Sequence, residues 1–241
     1  MKSVLITGAS RGIGKACAQR FALEGYHVFI NCKKSIEELK QLEADLLAAG
    51  ACCTAVPGDV GNPEEVRQIF QIIESQETGL DVLVNNAGVA HIGLMMDMTD
   101  AQWNTILNTN LSSAFYCSRE AIPYMISQKQ GKIINISSMW GRTGASCEVA
   151  YSAAKAGLNG LTMALAKELA PSNIQVNAIA CGVIDTVMNA QLSEDERQEL
   201  MEEVPAGRFG SPEEVAQLVL DLAKHHSYMT GQILGLDGGF I

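Results

Sequence analysis

Short apolar runs rich in β-branched residues alternate along the chain with longer segments in which apolar residues recur at helical spacing. The short runs are typical of buried strands, and the longer spacing is typical of helices packed on one face. The predicted strands comprise residues 3–7, 27–31, 53–56, 81–85, 132–137, 174–179 and 232–236. The predicted helices comprise residues 12–24, 36–48, 63–76, 101–127, 151–169 and 211–224, two of which follow the N-cap pairs Asn62-Pro63 and Ser211-Pro212.

The nearly strict alternation of strand and helix predicts an α/β fold, in which a parallel sheet of seven strands carries helices on both faces. In such a three-layer sandwich, ligands bind beyond the carboxyl ends of the strands. No internal repeat or Pro/Gly-rich linker marks a boundary, so we expect residues 1–241 to form a single domain. The acidic segment 186–208 interrupts the alternation, and we expect it to be a lid over the site.

Composition narrows the range of partners. The net charge of −10 argues against binding to nucleic acid or to an anionic membrane, and it requires local positive groups for any phosphorylated ligand. The 7 cysteines form no CxxC pair and have no accompanying histidine cluster, so we expect reduced thiols and no metal site. Because we see neither a leader nor an apolar run of membrane-spanning length, we expect a soluble cytoplasmic protein.

A glycine-rich turn follows the first predicted strand directly. In "TGASRGIG", residues 7–14, the glycines Gly8, Gly12 and Gly14 open the first helix. Glycine permits tight turning and close approach of the backbone to an anion, which then meets the free N–H groups and the positive dipole end of the helix. An ordinary turn could also be glycine-rich, but the order of strand, turn and helix favours a dinucleotide-binding site.

The residues that follow the second predicted strand bear on which dinucleotide is bound. An acidic residue there would bond the adenosine ribose 2′-hydroxyl and repel a 2′-phosphate. This chain has Lys33 and Lys34 instead, and Arg11 lies in the glycine turn. These cations predict NADP(H) rather than NAD(H), unless the two lysines are simply a solvated pair in a loop.

Three side chains form a candidate reaction centre. Tyr151 and Lys155 are four residues apart on a predicted helix, so they point from one face into the same space. A nearby ammonium stabilises phenolate and lowers the pKa of a tyrosine, which then exchanges protons more readily near neutral pH. Ser138 follows a strand and can reach a substrate oxygen in the carboxyl-end crevice, whereas its neighbour Ser137 should point to the opposite side.

Together these motifs resemble those of the short-chain dehydrogenase/reductase family, which has a Rossmann-type fold. "TGASRGIG" is followed in order by "GDV" at 58–60, "NNAG" at 85–88, "NTNL" around Asn110, Ser138, and the Tyr151/Lys155 pair, over nearly the whole chain. The resemblance implies that Ser138 polarises a carbonyl, that Tyr151 is the acid/base, that Lys155 lowers its pKa and bonds the nicotinamide ribose, and that Asn110 supports a proton-relay water. With Lys33, the predicted cofactor-binding set is Gly8, Ser10, Arg11, Gly12, Ile13, Gly14, Lys33, Asp59, Val60, Asn86, Ala87, Gly88, Tyr151, Lys155, Ile184 and Thr186.

One element departs from the family pattern. Where the family usually has Pro-Gly after the sixth strand, this chain has Cys181 before Gly182. The substitution removes the fixed φ of proline and adds a thiol. We expect Cys181 to be a tolerated small residue; a redox-sensitive thiol is the alternative.

Within the family, the chain is most similar to bacterial 3-oxoacyl-acyl carrier protein reductases, through "YSAAKAGL", "LAKELA" and "GRFGSPEEVA". This implies NADPH-dependent reduction of a ketone, a carrier-protein partner and a homotetramer packed through the helices at 101–127 and 151–169, with a dimer as the alternative assembly. Lys129 and Lys132 are candidates to meet the acidic carrier protein at the mouth of the site.

A second, local resemblance concerns "SSMWGRTGASCEVAYS", which is similar to reductases of the 5-aminopentanone group carried by a lysine of translation elongation factor P. Residues 140–149 lie between the first and second candidate catalytic groups, so we expect them to wall the substrate pocket. A third hypothesis, from another class, is a protein that senses NADP(H) without chemistry, although such proteins often lack the Tyr/Lys pair that this chain retains.

Overall fold

The computed structural model describes residues 1–77, 79–187 and 193–241. A seven-stranded sheet lies at its centre with the order β3-β2-β1-β4-β5-β6-β7, and every pairing is parallel. The strands are β1 (Ser3–Ile6), β2 (His27–Ile30), β3 (Cys52–Ala55), β4 (Val82–Asn85), β5 (Gly131–Ser138), β6 (Ile174–Cys181) and β7 (Ile233–Leu236). The predicted fold class and the predicted parallel sheet are confirmed.

Helices cover both faces of this sheet. They are α1 (Gly12–Leu23), α2 (Ile36–Ala48), α3 (Pro63–Gln76), α4 (Asp100–Leu107), α5 (Ser113–Gln128), α6 (Trp140–Thr143), α7 (Val149–Leu169), α8 (Glu194–Glu203) and α9 (Pro212–Lys224). Phe21 of α1 and Val215 of α9 belong to the core on one face, and Phe70 of α3 and Met125 of α5 to the core on the other. With both faces covered, β1, β2 and β4 are buried along their whole length, which explains their continuous apolar sequences.

Helix starts follow the predicted capping residues. Asn62 accepts a hydrogen bond from the Glu64 N–H at the start of α3, with Pro63 in the first turn. Ser211 and Glu214 form a capping box at the start of α9. Each arrangement satisfies backbone N–H groups that a helix leaves without a partner in its own first turn.

The helix predicted over 101–127 is interrupted. A π-helical turn at Asn108–Ser112 separates α4 from α5 and carries Asn110. Hydrophobic spacing cannot predict this turn, because one widened turn leaves the apolar periodicity on either side nearly unchanged. Turns of this kind occur frequently at functional sites.

The segment 186–208, predicted as a lid, is described only in part, because residues 188–192 lie outside the described residues. Its helical pattern is confirmed by α8, which buries none of its residues. Arg197 links α8 to the preceding chain through an ion pair with Asp185 at 3.1 Å, and its guanidinium lies 4.6 Å from the ring centroid of Phe209. The role as a lid stays a prediction. In the described part of the chain, no helix combines the length and apolar character that crossing a membrane requires.

Candidate active site

The glycine turn between β1 and α1 is packed so closely that its glycines have little room for side chains. Gly8 has φ +64°, and a Cβ there would lie 2.8 Å from Ala87 Cα. A Cβ at Gly14 would lie 2.6 Å from Asn86 Nδ2. Real Cβ atoms do not tolerate such distances, so glycine is required sterically at both positions.

The "NNAG" segment at the end of β4 is hydrogen-bonded to this turn. The Asn86 side chain donates to Thr7 O at 2.9 Å and to Gly8 O at 3.0 Å. In return, Thr7 Oγ1 accepts from the N–H groups of Asn86 and Ala87, each at 3.0 Å. The sequence analysis placed Asn86, Ala87 and Gly88 only in the predicted cofactor-binding set, and it missed this bracing role.

The start of α1 is suited to hold an anion. Its N-cap residue, Arg11, makes no side-chain capping hydrogen bond, and no acidic residue lies in the first turn. Uncapped N–H groups and the positive end of the helix dipole are the features that bind phosphate. The Thr186 side chain packs against this rim at the start of α1: a Cβ at Gly12 would lie 3.3 Å from Thr186 Cγ2. The predicted Ile184, two residues before Thr186, is buried and forms an isolated parallel β-bridge with Gly210.

Beyond β2, two residues of the predicted cofactor-binding set, Lys33 and Asp59, form an ion pair. Lys33 Nζ is 2.5 Å from Asp59 Oδ2, and the Lys33 side chain is 56% exposed. Lys34 and Arg11 are exposed, and Val60 is buried. The structure therefore supplies exposed cations at this end of the cleft, one of them already paired with a carboxylate.

The three candidate catalytic side chains converge at the carboxyl end of β5. Ser138 is the last residue of that strand, and Tyr151 lies in the first turn of α7 with Lys155 one turn later. Lys155 Nζ is buried, donates to Ile136 O at 2.7 Å, and lies 5.6 Å from the Tyr151 ring centroid. Ser138 Oγ accepts from the Trp140 N–H at 3.2 Å and also interacts by hydrogen bonding with the Tyr151 side chain.

Burial sets the protonation of this group. It raises the pKa of the Tyr151 phenol, while the hydrogen bond from Ser138 acts in the opposite direction. Burial also lowers the pKa of Lys155 to about 8. Sequence reasoning predicted that Lys155 would lower the pKa of Tyr151; in the structure the dominant influence on the phenol is desolvation, which keeps it protonated.

Asn110 lies beside this group but uses its amide for structure. Its Nδ2 donates to Val89 O and its Oδ1 accepts from the Val89 N–H, both at 2.8 Å. A Cβ at Gly88 would lie 3.3 Å from Asn110 Oδ1 and 3.8 Å from Lys155 Nζ. The π-helical turn therefore places Asn110 next to Lys155, and its side chain clamps the segment after β4.

Polar contacts that the sequence did not reveal hold α7 against the sheet. Ser137 points away from Ser138, as predicted, and its Oγ donates to Asn159 Oδ1 at 2.7 Å. The Asn159 amide donates in turn to Gly141 O at 3.1 Å. The available signal was the occurrence of polar residues within apolar runs, which in a buried strand or helix requires a hydrogen-bonding partner.

A further chain of buried polar groups crosses the sheet below the site. Asn85 donates to Asn135 Oδ1 at 2.8 Å, and Asn135 donates to Thr162 Oγ1 at 2.8 Å. These contacts join β4, β5 and α7, so they fix the position of α7, which carries Tyr151 and Lys155, on the sheet.

The proposed role of Lys129 and Lys132 at the mouth of the site is wrong. Lys129 ends α5 and Lys132 begins β5, which places both at the amino edge of the sheet. Six residues of extended strand separate Lys132 from Ser138, roughly 20 Å. Lys132 is only six residues from Ser138 in the sequence, but an extended strand places the two residues at opposite edges of the sheet.

Cys181, in place of the family proline, ends β6 directly beside Ser138 in the strand register. Burial raises the pKa of its thiol to about 12, and the nearby Lys155 acts only weakly against this. The thiol is therefore protonated and poorly reactive, as expected for a tolerated small residue. In the described ranges, no group of three or more His, Cys, Asp or Glu side chains is placed to hold a metal ion.

Comparison with known proteins is consistent with this arrangement. The family model for short chain dehydrogenases matches residues 2–197. The chain is 39% identical over 239 residues to the 3-oxoacyl-acyl-carrier-protein reductase FabG of Staphylococcus aureus (99% of this chain, 97% of the relative). It is 42% identical over 240 residues to the protein of the same name from Aquifex aeolicus (99% and 96%).

A solved structure gives the same result. The crystal structure of a candidate gluconate dehydrogenase from Agrobacterium tumefaciens superimposes with a TM-score of 0.95 at 35% identity, covering 99% of this chain and 95% of that one. The matched region includes the glycine turn and the whole Ser138, Tyr151 and Lys155 group. The chain therefore belongs to the short-chain dehydrogenase family and is an oxidoreductase that acts on carbonyl or alcohol groups.

Proposed function

We propose that this protein reduces a ketone to a secondary alcohol with NADPH. The observation that carries the proposal is the convergence of Ser138, Tyr151 and Lys155 at the carboxyl end of β5, beside a glycine turn suited to a dinucleotide. A protein that only senses the dinucleotide would not need a serine hydroxyl and a tyrosine phenol to converge where a carbonyl oxygen would bind, as Ser138 and Tyr151 do. Catalysis is therefore favoured over sensing.

The cofactor would be held along the rim already described. The uncapped start of α1 faces the pyrophosphate, and Arg11 and Lys33 supply positive charge for a 2′-phosphate. Thr186 closes the rim near Gly12. Bound NADPH supplies the hydride that reduces the carbonyl carbon.

In the proposed reaction, side chains of this protein donate the proton and stabilise the carbonyl oxygen that receives it. The Tyr151 phenol, protonated because burial raises its pKa, donates to the carbonyl oxygen as that oxygen becomes negative. The Ser138 hydroxyl stabilises the same oxygen. Lys155, with its pKa near 8, is anchored to Ile136 O and is poised to return a proton to Tyr151, with Asn110 shaping the path beside it.

The likeness to 3-oxoacyl-acyl-carrier-protein reductases makes a 3-oxoacyl group on acyl carrier protein the first candidate substrate. The 5-aminopentanone group on elongation factor P is the second candidate, favoured by one feature: the carboxylate of Glu148, which lies close enough to Tyr151 to influence its pKa. A neutral thioester substrate gives that charge no partner, whereas an amine does.

The experiment is a direct assay of NADPH oxidation with each candidate. Acetoacetyl-acyl carrier protein and elongation factor P carrying the 5-aminopentanone group are supplied in parallel, with NADH substituted for NADPH as a second comparison. Turnover of the carrier-bound ketone alone supports the first substrate, and turnover of the modified factor alone supports the second. If neither is reduced while NADPH binds, ketone reduction on these carriers is rejected.

We also infer a homotetramer. Phe115 of α5 and Met163 of α7 are each 45% exposed, and Ile126 and Val149 add to the apolar surface of the same two helices. Apolar area of this kind is commonly buried between subunits. Light scattering on the purified protein tests this, and a dimer or a monomer would contradict it.

A further inference from the structure

Trp140, the first residue of α6, contacts the proposed reaction centre through its backbone. Its N–H donates to Ser138 Oγ at 3.2 Å. A serine hydroxyl has one proton to donate and two lone pairs that can accept. The N–H occupies one lone pair and leaves the hydroxyl proton for another acceptor, and a hydroxyl that already accepts a hydrogen bond is polarised to donate more strongly. In the proposed reaction that acceptor is the carbonyl oxygen, so the Trp140 N–H supports the role of Ser138.

The position of this N–H depends on what surrounds α6. The helix has only four residues, none of which is buried, and a single helical turn is unstable on its own. One support comes from α7, since a Cβ at Gly141 would lie 2.8 Å from the carbonyl carbon of Lys155. A second support is the contact of the Trp140 ring with Phe240. The two ring centroids are 5.6 Å apart and the ring planes cross at 88°, the favourable edge-to-face arrangement.

A tight turn after β7 brings Phe240 against Trp140. Gly238 and Gly239 have φ +66° and +85°, which a residue with a side chain rarely adopts. Asp237 stabilises this turn, because its Oδ1 accepts from the Gly239 N–H at 2.9 Å and its backbone oxygen accepts from the Phe240 N–H at 3.3 Å. The direction in which Phe240 leaves β7 is therefore determined locally by the sequence "DGGF".

The same turn is fixed to two segments that border the site. The Gly182 N–H, just after β6, donates to Leu236 O at 2.9 Å. The Ala206 N–H, which follows α8, donates to Gly238 O at 3.0 Å. The backbone that carries Phe240 is thus held from both sides, and the half-buried ring is a fixed support for Trp140.

We propose that Phe240 is a positioning residue, whose ring holds Trp140 so that the Trp140 N–H stays on Ser138 Oγ and the serine proton stays available for the carbonyl oxygen. This inference rests on the proposed ketone reduction and adds to it a residue outside the predicted set of site residues. Removing the ring should lower kcat, because the hydroxyl stabilises the oxygen most as that oxygen becomes negative. The affinity for NADPH should not change.

The hydrogen bond can be observed without turnover. The chain has 2 tryptophans, so Trp103→Phe combined with ¹⁵N-labelled tryptophan leaves Trp140 with the single labelled backbone amide. In this background Phe240→Ala should speed hydrogen exchange of that amide roughly 3- to 10-fold, as expected for the loss of one aromatic pair. Phe240→Tyr keeps the ring and should preserve the slow exchange. Tyr228→Ala, which removes a fully exposed ring, is the control and should have no effect.

Kinetics then test the route through Ser138. With whichever candidate ketone the protein reduces, Phe240→Ala should lower kcat about 3- to 10-fold with an unchanged Kd for NADPH, and Phe240→Tyr should restore kcat. In a Ser138→Ala protein, adding Phe240→Ala should change kcat little, because the hydroxyl through which Phe240 acts is already absent. Unchanged exchange in Phe240→Ala, or the same loss of kcat with and without Ser138, overturns the proposal.

Failure of the proposed function gives a different result. If neither ketone is reduced but exchange of the Trp140 amide responds to Phe240→Ala, the reductase assignment is rejected and the assignment of Phe240 to hold this N–H stands. If exchange does not respond either, both are rejected. Should Phe240→Ala fail to fold, Phe240→Leu removes the ring while keeping an apolar side chain, and it should change exchange and kcat in the same directions.

Discussion

The glycine turn after β1 and the wall formed by residues 139–149 after β5 lie at the same edge of the sheet but are held by different means. In the turn, backbone approaches backbone so closely that a Cβ on Gly14 would meet Ala9 Cα at 2.8 Å. In the wall, a residue with a side chain, Cys147, adopts φ +62°, and its carbonyl oxygen accepts a hydrogen bond from the Gly93 N–H. The turn therefore depends on the absence of Cβ atoms at its glycines, whereas the wall depends on which side chains it carries.

This difference assigns separate tasks to the two regions. A cradle of backbone N–H groups binds phosphate in any dinucleotide and discriminates little between them. In the proposed function, side chains such as Ser138 and Tyr151 set the reaction. Substitutions in the turn should therefore affect binding and stability together, whereas substitutions near the wall should change catalysis or selection in a fold that is left intact.

The largest expected effect is that of Tyr151→Phe. The change removes the proton donor but keeps the ring that packs against the Lys155 ammonium. Loss of a general acid lowers kcat by about 10²–10⁴-fold, while NADPH binding, measured by fluorescence titration, should persist. A kcat within a few-fold of the wild type would show that the phenol does not carry the proton.

The next effect is that of Gly14→Ala, which adds a methyl group where Asn86 Nδ2 would lie 2.6 Å away. Displacing the turn and its brace should lower the free energy of unfolding by roughly 1–3 kcal/mol and weaken both NADPH and NADH. Chemical denaturation and cofactor titration measure the two losses.

Gly160→Ala is the matched control for this change. Gly160 is inside α7, and, outside the backbone of its own helix, no atom of the described residues lies within 4 Å of a Cβ at this position. The substitution should therefore stabilise the protein by about 0.5–1 kcal/mol through helix propensity. If Gly14→Ala and Gly160→Ala change the free energy of unfolding by the same amount, steric exclusion of a Cβ does not explain the glycine at position 14.

Stability against pH should report the buried lysine. The folded-state pKa of Lys155, about 8, lies below its ordinary value of 10.5. Between these values the unfolded chain holds a proton that the folded chain has lost, so the contribution of Lys155 to the free energy of unfolding rises with pH across that window. Relative to Lys155→Met, the wild type should gain about 1–3 kcal/mol between pH 8 and pH 10.

The wild type must be compared with Lys155→Met because other buried groups titrate in the opposite sense and also change the free energy of unfolding with pH. Burial raises the pKa of the Cys117 thiol to about 12, so its contribution to stability falls above pH 9, equally in both proteins. Lys167→Met, at an exposed position of the same helix, should show no such trend against the wild type. Urea unfolding curves at several pH values measure the differences, and parallel curves for wild type and Lys155→Met would contradict the prediction.

The comparison also explains what the sequence could predict. The parallel sheet, the helices on both faces and the glycine turn follow from hydrophobic periodicity and from the steric demand for glycine, both of which are local. The Tyr151/Lys155 pair was predictable because four residues on a helix bring two side chains to one face.

What the sequence could not supply depends on packing between distant segments. The bracing of Thr7 by Asn86 joins residues 79 apart, and the π-helical turn at Asn110 leaves the apolar periodicity almost unchanged. The direction of the pKa of Tyr151 depends on burial, which is not visible from its neighbours in the chain. The position of Lys132, by contrast, could be predicted, because the predicted strand at 132–137 already places it at the opposite end from Ser138.

The smallest expected effect tests whether the Lys33 side chain, in addition to the backbone N–H groups of the glycine turn, determines the preference for NADP⁺ over NAD⁺. Lys33→Ala removes an exposed ammonium whose present partner is Asp59 at 2.5 Å, so it should cost little stability. It should weaken NADP⁺ about tenfold and leave NAD⁺ nearly unchanged, since only the former carries the 2′-phosphate. Lys40→Ala, an exposed lysine on α2, is the control and should alter neither affinity. If Lys33→Ala weakens both dinucleotides equally, the lysine contributes only general charge, and the choice of cofactor is made by the backbone after all.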